Sequence, residues 1–218
     1  VAKNIREDAP EDIARKVMIA DPKVLKKRQA ADDEKKKKAL IPAEKGKSLE
    51  IWRVNNFKKV PVEKELHGLF YAGDCYIVCF KYEHFNKEKV FIYHWHGRLC
   101  SADEKGSAAL LVRTMDDDEY GGNAEQVRVV QNNEPEDFLA LFGGRLVVRD
   151  GGLNKSGIDT RDHDGVSLFH VKGQSSLTVR AVQVVEKATS LNSGDCFVLE
   201  RPGSIHVWQG KLCSKEER

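Results

Sequence analysis

Long apolar runs are missing from this chain of 218 residues. A membrane-spanning helix needs roughly 18–20 consecutive apolar residues, so a transmembrane protein is not expected. The N-terminal stretch also lacks the apolar core of a secretory leader. Cysteine is sparse and odd in number: Cys75, Cys79, Cys100, Cys196 and Cys213, with no Cys-x-x-Cys. Most of these sit in apolar, strand-like settings. That argues against a disulfide framework and for reduced, buried thiols in an intracellular, cytoplasmic protein. The glycine pairs Gly143-Gly144 and Gly151-Gly152 are not followed by Gly-Lys-Ser/Thr, so neither is a phosphate loop. No catalytic constellation is found, so an enzyme is not expected. A net charge of +2 marks no partner by itself, and nucleic acid is not expected as one.

What the chain does contain is one phrase written twice. Gly73-Asp74-Cys75-Tyr76-Ile77-Val78 is followed by Trp95-His96-Gly97-Arg98-Leu99-Cys100-Ser101-Ala102-Asp103-Glu104. Gly194-Asp195-Cys196-Phe197-Val198-Leu199 is followed by Trp208-Gln209-Gly210-Lys211-Leu212-Cys213-Ser214-Lys215-Glu216-Glu217. Self-similarity of this kind marks tandem copies of one unit. In the first copy Cys75–Phe80 and Val90–Trp95 are short, β-branched and aromatic, so they read as strands, with 81–89 as a polar hairpin loop. Ser101 followed by Glu104 is a capping box. Ala108, Leu111, Val112 and Met115 then recur at helical spacing. They leave Lys105, Ala109, Arg113 and Asp116 on the exposed face, with Leu110 at its margin. The helix is expected to end near Gly121-Gly122.

In each copy an Asp opens a strand and a Glu sits in a helix's first turn. Two such hard oxygen donors together with backbone carbonyls suit calcium, although Glu104 also has a purely capping role open to it. Residues 49–150 read as the first compact unit, 151–165 as a Gly/Asp/Asn-rich linker and 166–218 as a second, truncated unit. Residues 1–48 read as a charged, helix-prone extension. Its Lys26-Lys27-Arg28 and Lys35-Lys36-Lys37-Lys38 clusters suit an acidic partner or a phosphoinositide headgroup.

Several ordered segments resemble the gelsolin/villin family. They are Leu49-Glu50-Ile51-Trp52-Arg53-Val54, Phe70 to Val78, Tyr93-His94-Trp95-His96-Gly97, Val129 to Pro135, Leu141-Phe142-Gly143-Gly144, Ser167 to Gly173, and Leu191 to Leu199. The segments are most like the fourth and fifth repeats of a six-repeat member, with the first and second as competitors. The resemblance implies an α+β fold in which each repeat is a central mixed β-sheet between one long and one short helix. It also implies actin binding, with filament severing or capping under Ca2+ control and a place in the cytoskeleton. Carried over by position, the intramolecular calcium ligands are Gly73, Asp74, Glu104 and Leu153, and in the second repeat Gly194, Asp195 and Glu217. A calcium shared with actin would use Asp116 or Asp117 with Gly122 and Ala124. The long helix would contact actin through Leu110, Arg113 and Thr114.

Two other readings stay open. One is a static filament-binding module without severing activity. The other is a zinc site at His94, His96 and Cys100, which lacks a fourth ligand at zinc spacing. The second repeat stops where its long helix should begin, so an apolar sheet face is expected to be open there unless further chain or a partner covers it. Residues 1–48 carry few core residues. Deleting residues 1–46 should therefore leave a single cooperative melting transition, and calorimetry that finds it lost would put the extension inside the core.

Overall fold

The computed structural model describes residues 46–153, 159–160 and 164–218. The expectations for residues 1–45, including both basic clusters, and for 154–158 and 161–163 lie outside the described residues. The architecture is α+β. One five-stranded sheet has the order β2-β1-β4-β5-β6, with β1 Ser48–Asn55, β2 Lys58–Pro61, β4 Cys75–His84, β5 Lys87–His96 and β6 Glu125–Val130. It is antiparallel except for the β5–β6 pair, and is therefore mixed. A six-stranded sheet has the order β11-β10-β8-β9-β7-β3. Its strands are β3 Leu69–Tyr71, β7 Leu146–Arg149, β8 Ser167–Lys172, β9 Arg180–Val184, β10 Cys196–Arg201 and β11 Ser204–Gln209. Here β3–β7 and β7–β9 are parallel. The second sheet thus includes two strands, β3 and β7, from residues that sequence grouping put with the first unit.

Period-two alternation in β4 and β5 builds two cores on the two faces of the first sheet. Cys75, Ile77, Cys79 and Ile92 point to one face and pack against Ala108, Val112 and Met115 of the long helix α1 (Ala102–Tyr120). Tyr76, Val78, Phe80, Phe91, Tyr93 and Trp95 point to the other face. There they meet Phe138 and Leu139 of the short helix α2 (Glu136–Ala140). Burying each such side chain contributes about 1.5–3 kcal/mol. Ring contacts run Phe80–Tyr82–Phe91–Tyr93–Phe138 with centroids 5.3–5.8 Å apart. The loop expected at 81–89 is shorter than its polarity suggested. The strands run on to His84 and Lys87, leaving Phe85 and Asn86 at φ of 48° and 58° as a two-residue turn. Tyr82 is the reason, since it is buried between the Phe80 and Phe91 rings and pulls its polar neighbours into the ladder.

The repeated phrase is repeated structure. In the first copy Gly97 N–H donates to the Asp74 carbonyl, Leu99 N–H to that of Ala72 and Cys100 N–H to that of Gly97. In the second, Gly210 donates to Asp195, Leu212 to Ser193 and Cys213 to Gly210. A Cβ on Gly97 would overlap the Ala72 and Asp74 carbonyls, and one on Gly210 the Ser193 and Asp195 carbonyls. The copies differ in cover. Ile92 is fully buried under α1, whereas its counterpart Ile205 is 69% exposed, as is Val207 at 60%. At 214–218 the chain forms a turn and not a helix.

Two glycine substitutions should separate clearly. Gly106 lies on α1 with open space around it, so Gly106→Ala should stabilise by about 0.5–1 kcal/mol. Gly97→Ala should destabilise by about 1–3 kcal/mol through forced overlap. Denaturant midpoints check both.

Candidate functional site

The clasp at Gly97 brings the start of β4 against the start of α1. Asp74 at the first end is only 2% exposed. Its Oδ1 accepts the Leu153 N–H at 2.9 Å, its Oδ2 accepts the Tyr76 hydroxyl at 3.3 Å, and Nη1 of Arg53 stands 4.0 Å away. Gly73 N–H donates to the Gly151 carbonyl at 2.6 Å. Gly151-Gly152 lies so close to Gly73 and Asp74 that a side chain on Gly152 would meet the Asp74 carboxylate. Burial, with the Glu104 charge adding to it, holds the Asp74 carboxyl above the ordinary carboxylate range; the Leu153 N–H, Arg53 and Tyr76 oppose that shift.

Glu104 caps the helix as its spacing predicted. Its Oε2 accepts both the N–H and the hydroxyl of Ser101, at 2.8 and 2.7 Å, while Ser101 Oγ accepts the Glu104 N–H. Both cap bonds fall on one oxygen, so capping does not use Oε1. Cap and metal ligand are therefore compatible roles for one carboxylate. Asp74 and Glu104 are both buried, and carboxylates with backbone oxygens are the donor type a hard cation takes. Of the sequence-predicted Gly73, Asp74, Glu104 and Leu153, Leu153 contacts Asp74 directly, through its N–H and not its carbonyl, and Glu104 acts on Asp74 through its charge.

The second copy is arranged differently. Glu217 Oε2 accepts the Ser214 N–H at 3.1 Å, half of the same box without the helix. Asp195 accepts Asn192 Nδ2 at 2.9 Å and pairs with His170 Nε2 at 2.7 Å. These contacts, the Asn192 bond foremost, hold its carboxyl below the ordinary range. Asn192 Oδ1 also accepts the N–H groups of Gly194 and Asp195. His170 faces Phe197 across the β8–β10 ladder, just as Arg53 faces Tyr76 across β1–β4. Each Asp thus has a nitrogen base from the neighbouring strand. Asp195 and Glu217 line one cavity of about 550 Å³ with Glu134, Glu136, Lys172 and Arg180.

The end of α1 corrects one expectation. Asp116 is buried and not on the exposed face. Its Oδ1 accepts the Ala124 N–H at 2.9 Å and its Oδ2 accepts Gln126 Nε2 at 2.7 Å, so it ties the helix exit to β6. The hydrogen bonding of a C-terminal turn, invisible in a helical wheel, draws it inward. Asp117 stays exposed, 3.8 Å from Arg113, beside Gly122. Leu110 is 61% exposed, beyond the marginal position expected of it, and Arg113, Thr114 and Asp117 follow it on the same stripe.

His94 Nδ1 and His96 Nε2 are 3.0 Å apart, and burial lowers both imidazoles, His96 to about 4. Cys100 turns away from them, donating to the Gly97 carbonyl. Among the described residues no group of three or more His, Cys, Asp or Glu is placed to hold a metal. The calcium candidates each rely on two carboxylates plus carbonyls. Sequence reasoning missed Arg53 and the Gly151-Gly152 approach. Arg53 belongs to no metal-binding motif, and the glycine pair has the composition of a linker.

The Gelsolin repeat family model matches residues 56–139 and 178–218. Among curated proteins, mouse (Mus musculus) advillin is 39% identical over 170 residues, which is 78% of this chain and 20% of advillin. Cytoplasmic gelsolin of Homarus americanus is 43% identical over 170 residues, 76% of this chain and 22% of that protein. The chain spans about a fifth of the length of these relatives. The crystal structure of the Thorarchaeota 2DGel3/rabbit actin complex matches at 25% identity with a TM-score of 0.40, covering 78% of this chain and 81% of that one.

A carboxyl whose folded pKa lies above its unfolded value adds stability that is complete below the unfolded value and lost as pH rises through the folded one. At neutral pH, ionised Asp74 therefore weakens the calcium-free fold. Asp74→Asn should raise the calcium-free Tm at pH 7, and the gain should vanish as pH falls into the carboxylate range. Thermal melts in a chelator check this.

Proposed function

Because this chain belongs to the gelsolin repeat family, we propose that it is a calcium-regulated actin-binding protein, part of a filament severing or capping protein of the gelsolin/villin kind. Its work is binding and not catalysis, done in the cytoplasm on the cytoskeleton. Division into a repeat at 49–150, a linker and a second repeat from 166 belongs to the same reading. So does phosphoinositide contact by the basic segments.

The observation that carries it is Leu110. A helix that buries Ala108, Val112 and Met115 presents on its far side a large apolar residue flanked by Arg113 and Thr114. An exposed apolar anchor ringed by hydrogen-bonding groups suits an interface. Asp117, one turn further on and open to solvent, is better placed than Asp116 to share a calcium with a partner, together with Gly122 and Ala124. Calcium at Asp74/Glu104 would bind the native state preferentially and stiffen the base of this helix. The family resemblance supplies actin as the partner.

Replacing Leu110 with Asp should weaken actin binding by about 2 kcal/mol or more while circular dichroism stays unchanged. A pyrene-actin polymerisation assay reads the loss. A folded variant that behaves as wild type there would remove α1 as the contact surface and favour the static-module reading.

A further inference from the structure

One repeated feature has no part in calcium or actin binding. The sulfurs of Cys75 and Cys100 are 3.0 Å apart, both thiols buried and free. Cys75 donates to Cys100, whose own S–H donates to the Gly97 carbonyl at 3.1 Å. Cys75 follows Asp74 directly, and Cys100 directly precedes the helix cap Ser101. The second repeat sets Cys196 after Asp195 and Cys213 before Ser214, with a hydrogen bond between the two side chains. The backbone clasp that places the carboxylates therefore also places a thiol pair. A disulfide sulfur–sulfur bond is about 2.05 Å, so closure asks the two sulfurs to approach by roughly 1 Å.

We propose that Cys75 and Cys100 are an oxidation site that hydrogen peroxide converts to a reversible disulfide. Cys100 is the less buried of the two and sits beside exposed Arg98 and Leu99, so peroxide meets it first. Its sulfur gives its proton to solvent and attacks one peroxide oxygen. A sulfur–oxygen bond forms, the oxygen–oxygen bond breaks, and the departing hydroxide takes up a proton as water. The Cys75 sulfur then attacks the Cys100 sulfur, and the hydroxyl leaves with the Cys75 proton as a second water. Two thiols and one peroxide become one disulfide and two waters. The bond ties the strand of Asp74 to the helix cap of Glu104. Its consequence for calcium rests on the calcium reading; the cross-link itself does not.

The test uses the full chain, reduced, freed of reductant and treated with equimolar hydrogen peroxide. Expected are a mass lower by two hydrogens per bond, digest peptides joined through Cys75 and Cys100, an unmodified Cys79, and full recovery with dithiothreitol. Cys75→Ser should instead stop at a Cys100 sulfenic acid trapped by dimedone. Oxygen adducts without a cross-link in wild type would overturn the proposal. So would a cross-link to Cys79 or between chains, or Cys75 and Cys100 left untouched by peroxide. Calcium calorimetry before and after oxidation separates the two readings. A Cys75–Cys100 bond in a protein that binds no calcium in either state supports the oxidation site and removes the calcium reading.

Discussion

Everything at the candidate site depends on one backbone contact that only glycine permits. Gly97 lies against the carbonyls of Ala72 and Asp74, and its N–H is bonded to the second of them. That approach fixes the start of β4 relative to the start of α1. Asp74 comes from one and Glu104 from the other, so the clasp fixes where each stands. Gly210 repeats the contact for Asp195 and Glu217. The motif sets the start of a strand, with its Asp, against the segment that leads to the Glu.

The two copies surround the aspartate differently. In the first, Arg53 stands at 4.0 Å, outside hydrogen-bond range, and Asp74 is nearly sealed from water. Burial raises its carboxyl, and Arg53 offsets that only in part. In the second, His170 and Asn192 bond Asp195 directly, and the site is more open. On the calcium proposal the first site is the stronger candidate, because a divalent cation gains more where the carboxylate is less satisfied and at the second it would have to displace established partners.

Much of this was legible in the sequence, for reasons that can be named. Short-range chemistry carried over well. The Ser101–Glu104 capping box, the Gly121 exit from α1 at φ 59°, and the alternation in β4 and β5 are each set within a few residues. Long-range contacts were not legible. Nothing local says that β3 and β7 join the second sheet, that Leu153 reaches back to Asp74, or that Asp116 folds inward to bond Ala124 and Gln126. Tyr82 shows the same limit. Its polar neighbours spelled a loop, while the rings of Phe80 on its own strand and Phe91 on the next held it in a strand. The candidate sites came from repetition and from the family resemblance, neither of which shows a contact in space.

The most direct test is calorimetric titration of calcium into the wild-type chain and into the Asp74→Ala, Glu104→Ala double variant, both confirmed as folded. Loss of one binding event in the variant, with any weaker event at Asp195 and Glu217 retained, is the expected result. Equal calcium affinity and stoichiometry in the two proteins would contradict calcium binding where the clasp brings those carboxylates together.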